Sequence, residues 1–286
     1  MTDQSVIITK SAERRSAQPV RQLTSSNRFI RWLKSLWGLN LLLGTISIGT
    51  ILLIWEFAGT LGIPGLKNVP PPSAVITAAN DLLVSPQYWN GWLLSFERIG
   101  IGFLLAQLVG IPLGLAMAMN RPTFGTIFPI IEILRPIPPV AWIPISIVFW
   151  PTREQSVIFI VFLGAFWIVL LNTIGGASNI DRVYKRAALS LGSQPRDLFW
   201  KIILPATIPS IVTGMAVGMG ISWEMVVASE MIAGDTGLGY LLWQSFEIGA
   251  IAHVIVCMIS IGIAGYFSSA LIRALGGFAT PWLRLH

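Results

Sequence analysis

Six stretches of this chain are apolar for about as long as a helix needs to cross a bilayer, and that fixes the class of fold before any motif is read. They fall at about 39–61, 93–118, 124–150, 156–177, 206–228 and 251–275. Roughly 20 apolar residues at 1.5 Å each cover the hydrocarbon core. In lipid every backbone N–H and C=O must be bonded within the protein, so such stretches form helices. Charged residues make up only 11% of the 286 residues, against about 25% in soluble domains. The expected fold is all-α, a polytopic membrane protein with six transmembrane helices.

The chain divides into a basic N-terminal tail (1–38), a first transmembrane helix (39–62) and a core (63–286). The tail holds Lys10, Arg14, Arg15, Arg21, Arg28, Arg31 and Lys34. Its first part reads as disordered, and Arg28 to Trp37 mixes basic and large apolar residues as an interfacial helix does. The apolar run after it is too long for a signal-peptide core and is followed by no small-residue cleavage site. Between the first two spans, Pro70-Pro71-Pro72 and Ser73 read as the start of a short helix to about Val84, with the serine as its cap. The N-terminus, the 119–123 turn, the 179–205 loop and the C-terminus together hold 15 of the 19 basic residues. Lys67, Arg98 and Arg153 stay on the other side, and Arg135 lies within the third span. This asymmetry predicts both termini in the cytoplasm. The basic residues gather between apolar spans and not on an aromatic-interleaved surface, which argues against nucleic acid. Cys257 is the one cysteine, and His253 and His286 are isolated, so no disulfide or metal site is expected.

The 179–205 interval is far longer than a turn requires. Asp181 to Ser193 reads as a helix with a small patch, Ala187 and Ala188, ended by Gly192. Pro195 to Ile203 reads as a second helix, terminated by Leu204-Pro205. The pair makes a knob that a partner can grip, or a loop that merely caps the bundle. Polar residues inside spans are costly, at about 2.5–3.5 kcal/mol per central charge on insertion scales. Glu132 and Arg135, three apart, either neutralise each other or meet a substrate. Arg98 either pairs with an acid or headgroup, or serves an anion. Glu224 and Glu230 would repel an anionic cargo, and Glu230 reads as a structural partner. The third span carries Pro129, Pro136, Pro138, Pro139 and Pro144, which disrupt its ladder. The 135–142 stretch, with Trp142, is thus a candidate pathway wall or else a kinked packing helix. Gly214, Gly218 and Gly220 read as close helix packing. Residues 231–250 read as a turn and short helix near the pore, serving as an outer gate or touching a binding protein.

The run Arg186-Ala187-Ala188-Leu189-Ser190-Leu191-Gly192, then eleven residues, then Leu204-Pro205 resembles the EAA–G–LP loop of ABC-importer permease subunits. Glu132-Ile133-Leu134-Arg135-Pro136-Ile137-Pro138-Pro139-Val140-Ala141-Trp142-Ile143-Pro144 resembles the third span of permeases for taurine, alkanesulfonates, nitrate and bicarbonate. Ser95-Phe96-Glu97-Arg98 with Gly102-Phe103, and Ala228-Ser229-Glu230-Met231 with Gly237-Leu238-Gly239-Tyr240, resemble their neighbouring segments. The resemblance covers about residues 70–275. It implies a type I ABC-importer permease (MetI-like) fold in a bacterial inner (plasma) membrane. It also implies a coupling helix, built on Arg186, Ala187, Ala188, Leu189, Gly192, Leu204 and Pro205, that docks on a cytoplasmic ATPase subunit. The implied cargo is a small oxyanion delivered by a periplasmic or lipid-anchored binding protein. Candidate pathway residues are Arg98, Arg135, Pro138, Pro139, Trp142 and Glu230. Two departures stand out: Arg186 replaces the motif glutamate, and Glu224 is an added acid.

No GxxxxGK[ST] phosphate loop occurs, so this chain is expected to bind no cofactor and catalyse nothing, with ATP-Mg used by the partner subunit. One such chain would form half a pathway, so a second permease copy is expected, a homodimer with the pore on its axis. The alternative from another class is a secondary transporter driven by an ion gradient, which calls for two related halves with paired broken helices. A scaffold without transport would show no polar path.

Overall fold

The computed structural model describes residues 26–61 and 69–281, with side chains from Leu42 onward. The tail up to Thr24 and Ser25, Lys67, Arg284 and His286 lie outside the described residues. No strand occurs among the described residues.

Helix α1 (Ser26–Thr60) is one unbroken rod of 35 residues. The interfacial and spanning helices expected from sequence are thus joined. No proline interrupts 26–60, and an intrahelical ladder is the cheapest way to satisfy backbone entering lipid.

The remaining chain, Leu61 onward, forms a separate compact unit. Its elements are α2 (Pro72–Leu83), α3 (Pro86–Met119), α4 (Arg121–Leu134), a 3-10 turn (Pro139–Trp142), α5 (Ile143–Phe149), α6 (Arg153–Ser178) and α7 (Arg182–Ser190). Then come α8 (Pro195–Leu198), a π-turn (Phe199–Ile203), α9 (Leu204–Ala233), α10 (Leu238–Glu247) and α11 (Ile251–Ala279). Five described helices are long and apolar enough to cross a membrane, or six if the bent α4–α5 pair is one span. Helix α2 begins one residue before the expected cap. Pro72, its φ preset, takes the first helical position, and the cap position falls to Pro71.

Helix α6 is the central post, with Ile160, Val161, Ala165, Val169 and Leu170 fully buried. It is apolar all round, as a helix enclosed by others must be. Helices α3 and α9 press on it from two sides through small residues. A Cβ on Gly114 would lie 2.8 Å from the Thr173 Cβ, and one on Gly214 2.8 Å from the Asn172 Cβ. Lipid tails are as apolar as the side chains, so close backbone approach supplies the attraction. The reading of Gly214 and Gly218 as packing residues fits this geometry. Gly220 has only Ser269 Oγ, 3.9 Å from its Cβ position, and is not a tight approach. Helix α11 lies against α9, with Gly265 facing Trp223 and Gly276 facing Val212.

The unit has two distinct ends. The Asn120 turn, residues 179–203 and the C-terminal end of α11 share one, here the loop end. Helices α2 and α10 and the starts of α3 and α6 share the other, the far end.

A Gly114→Ala variant should be destabilised by about 1–3 kcal/mol, the usual cost of overpacking. Gly100→Ala, with open space at its Cβ position, should leave stability unchanged. Thermal midpoints in detergent check the pair.

Candidate functional site

The 179–205 loop folds as a helical knob. Asp181 caps α7, its Oδ1 accepting from Val183 N at 2.9 Å. Gly192, at φ +79°, ends it. The Ser193 amide reaches Ala188 O at 3.0 Å and the Gly192 amide Leu189 O at 3.0 Å, a paired closure that needs the left-handed conformation at Gly192.

Pro205 does not terminate the second helix. Residues Pro195–Ala233 run on as one 39-residue helix. Leu204 N bonds Phe199 O across the π-turn. That widened turn absorbs the amide Pro205 lacks.

The small patch splits in two. Ala187 is exposed, whereas Ala188 is buried and faces the protein's own interior. Sequence reasoning missed what the outer face carries. Val183, Tyr184, Leu189, Leu191 and Trp200 are all exposed, Leu191 at 87%, among Arg182, Arg186 and Arg196. Large apolar side chains on an otherwise charged helix were the available signal. Such a patch marks a surface that another molecule covers. Leu204 and Pro205 are half-buried at its root.

The third span is broken, its two helical parts bent by 85°. Arg135, Pro136, Ile137, Pro138, Val140 and Ala141 are exposed there, and Pro139 and Trp142 half-exposed. Glu132 and Arg135 approach to 3.8 Å, each about half exposed. An exposed pair at that distance contributes little. Glu224 is exposed one residue before Met225, and among the described residues no hydrogen bond or ion pair is formed by its carboxylate.

Arg98 lies elsewhere, buried to 1% at the far end. Its Nε and Nη2 donate to Glu154 at 2.8 Å each, and Nη1 donates to Glu230 at 2.8 Å. Nη1 also donates to Thr236 O at 2.7 Å and Nη2 to Thr236 Oγ1 at 2.9 Å. A guanidinium has five N–H donors, so none remains for a transported anion, and pairing is the role the geometry gives it. Glu230 is fully buried and also accepts from Ser95 Oγ at 2.8 Å and Gly239 N at 2.8 Å. Ser95 Oγ in turn accepts from Leu238 N at 3.0 Å. Gly237 sits at φ +113°, and a Cβ there would strike the Glu230 carboxylate. The expected turn and short helix of 231–250 are therefore α10 and the turn before it, tied down by Glu230 and Arg98.

Two cavities with charged residues in their walls open on this framework. One of about 760 Å³ at the far end is lined by Gln87, Asn90, Glu97, Asp235 and Tyr240 among others. The other, about 850 Å³, lies at the loop end beside Asn172, Asn179, Asp181, Tyr184 and Ser210.

Residues 110–285 match the family of the binding-protein-dependent transport system inner membrane component. A putative ABC transporter permease of Methanocaldococcus jannaschii is 45% identical, over 74% of this chain and 81% of its own length. The nitrate import permease of Leptolyngbya laminosa is 33% identical over 82% of this chain and 86% of its length. The taurine transport system permease of Escherichia coli is 33% identical over 83% and 90%. Among solved structures, an inward-facing methionine ABC transporter, MetNI, has a chain that matches 66% of this one over 98% of its length. Its TM-score is 0.54 at 21% identity, which shows the same fold.

Replacing Arg98 with Met should destabilise the chain by about 3–5 kcal/mol, because two carboxylates lose their cation while one stays buried. Adding Glu230→Gln should recover part of the loss. Glu154→Gln, at a half-exposed group, should cost less than either. Thermal midpoints, with proteolysis of 231–250 as a local readout, check the order.

Proposed function

The chain belongs to the family of binding-protein-dependent transport system inner membrane components, and we propose that it forms the membrane path of an ATP-driven importer for a small oxyanion. Nitrate, bicarbonate or a sulfonate such as taurine are the cargo types, in keeping with the names of its relatives. The observation that carries the coupling part of this reading is the exposed apolar patch on the charged 179–205 knob. It is the surface a cytoplasmic ATPase subunit would cover, and ATP-Mg would be consumed there.

The path would run along the open face of the broken span. Unsatisfied backbone at membrane depth persists only against protein or a water-filled cavity. Residues 135–142, with Pro138, Pro139 and Trp142, fit a wall facing both water and a second permease copy. A homodimer would place two such walls around one axis. The far-end turn before α10, held by Arg98 and Glu230, would meet the substrate-binding protein.

Motion would pass along a single rod. The Pro195–Ala233 helix spans roughly 58 Å at 1.5 Å per residue. It joins the knob to Glu230. Closure of the ATPase dimer would tilt this rod and so bias inward-open against outward-open states.

Orientation follows from charge. The loop end carries Arg121, Arg182, Lys185, Arg186, Arg196, Lys201 and Arg273, and the far end only Arg98 and Arg153 among the described residues. This supports a cytoplasmic loop end and cytoplasmic termini.

Leu191→Asp and Tyr184→Ala should abolish co-purification of the ATPase and cut uptake at least about tenfold, while the protein stays in the membrane. Retained ATPase and uptake in both variants would refute docking at this patch. Ala188→Leu should instead disturb the fold of the knob, since that side chain points inward. A cysteine at Ser193 should react with a membrane-impermeant maleimide only after permeabilisation, and one at Asp235 in intact cells. The reverse pattern would invert the topology.

A further inference from the structure

We infer that the groove receiving the 179–205 knob is acidic: a carboxylate of the cytoplasmic partner faces Arg186, and a second lies in reach of Arg182, one turn back. This rests on the docking reading above and names the chemistry of the partner it calls for.

The knob has no acid of its own to spare. Residues 179–205 hold five basic side chains and two acids, Asp181 and Asp197. Asp197 pairs with Lys201 at 2.8 Å, and Asp181 caps α7 through the Val183 amide. Among the described residues, Arg182, Arg186 and Arg196 form no ion pair or side-chain hydrogen bond.

Arg186 stands within the apolar patch, not at its margin. Val183 lies three residues before it and Leu189 three after, so both adjoin it on the helix surface. They are 64% and 55% exposed. Ala188, the buried residue of α7, is about 160° round the helix from Arg186, at roughly 100° per residue. Arg186 therefore points away from the protein's own interior, and Arg182, four residues earlier, shares its side. Lipid headgroups lie beside the spans, whereas a subunit arriving from beyond the knob meets this face. Any partner that covers Val183 and Leu189 also takes water from the guanidinium between them. A covered charge needs a matching charge, and only the partner can supply it. The guanidinium fork suits a carboxylate, which it can hold through two parallel bonds.

The helix itself points the same way. Arg182 and Lys185 occupy the first turn of α7, the positive end of its dipole, where acids stabilise and cations do not. Arg182 and Arg186 are like charges four residues apart, which repel. Membrane orientation calls for basic residues on this side of the bilayer but not at these helix positions. A local conflict of this kind is kept where a binding surface gains from it.

The test uses the complete importer in native membranes, with the ATPase that co-purifies with the wild-type permease as the probe. Arg186→Lys keeps the charge and places an amine at that position. A zero-length carbodiimide should then join it to an Asp or Glu of the ATPase, mapped by mass spectrometry, with no such product at position 186 of the wild type. Arg186→Glu should lower both ATPase retention and uptake at least about tenfold, because like charge then meets like charge. An acid at 186 suits α7 better than arginine does, so that loss would not come from an unfolded knob. Arg121→Glu, the same charge change at the loop end but outside the knob, should keep both. No carbodiimide product at 186 in the Arg186→Lys variant, or full ATPase retention by Arg186→Glu, overturns the inference. If Leu191→Asp still releases the ATPase in that case, the docking reading stands; if it too retains the ATPase, both fall. A defect of Arg186→Glu that vanishes in phosphatidylcholine discs and persists in phosphatidylglycerol discs assigns the charge to lipid and also overturns the inference.

Discussion

A guanidinium whose five donors are all taken holds the far end of this protein together. Arg98 on α3 binds Glu154 at the start of α6, Glu230 near the end of α9 and Thr236 in the following turn. Three helices distant in sequence, and the turn that follows the last of them, meet on one side chain. Burying two ionised groups, Arg98 and Glu230, costs several kcal/mol each before pairing, so the arrangement survives only because nearly every lone pair and proton is matched. Ser95 and the Gly239 amide complete the Glu230 carboxylate. The glycines of the turn follow from this demand, since Gly237 must bring backbone against that carboxylate with no Cβ between them. Packing through Gly114, Gly164 and Gly214 then fixes how the same helices approach lower down.

That fastening gives the long helix a fixed upper end. Its lower end is the knob, continuous with it through a π-turn. A proline at 205 that stopped the helix would have made a flexible joint between the knob and the span that follows it. The widened turn removes the joint, so displacement of the knob must reappear as tilt of α9 or as sliding against α6. Interfaces packed through small residues shift between discrete arrangements more readily than they deform. In the proposed coupling the far-end ion cluster would be the pivot of such a shift.

Much of this could be read from the sequence, and the misses have physical causes. Five prolines in one span announced its break, because each removes a ladder donor wherever it sits. Gly192 announced the end of α7, because few other residues adopt the left-handed conformation cheaply. Pro205 misled because the effect of a proline depends on whether the preceding turn can widen. Ser73 misled because Pro72 started the helix first. Ala188 misled because one residue's step of 100° separates an outward alanine from an inward one, and sequence alone did not set the phase of so short a helix. Arg98 was left between two roles, because its partners lie 56 and 132 residues away, and a single sequence records no contact at that range. The glycines of 234–239 were visible, but only the buried carboxylate explains their number.

The bend in the third span is the feature that favours a second copy in the proposed importer. Residues 135–141 leave the helical ladder while largely uncovered, and lipid cannot satisfy the backbone groups so released. Water or protein must. Water alone would need a channel wall on its other side, which the described residues do not supply. In the proposed homodimer a second copy would supply it at no cost in new sequence, since a two-fold axis would set the same open face opposite itself.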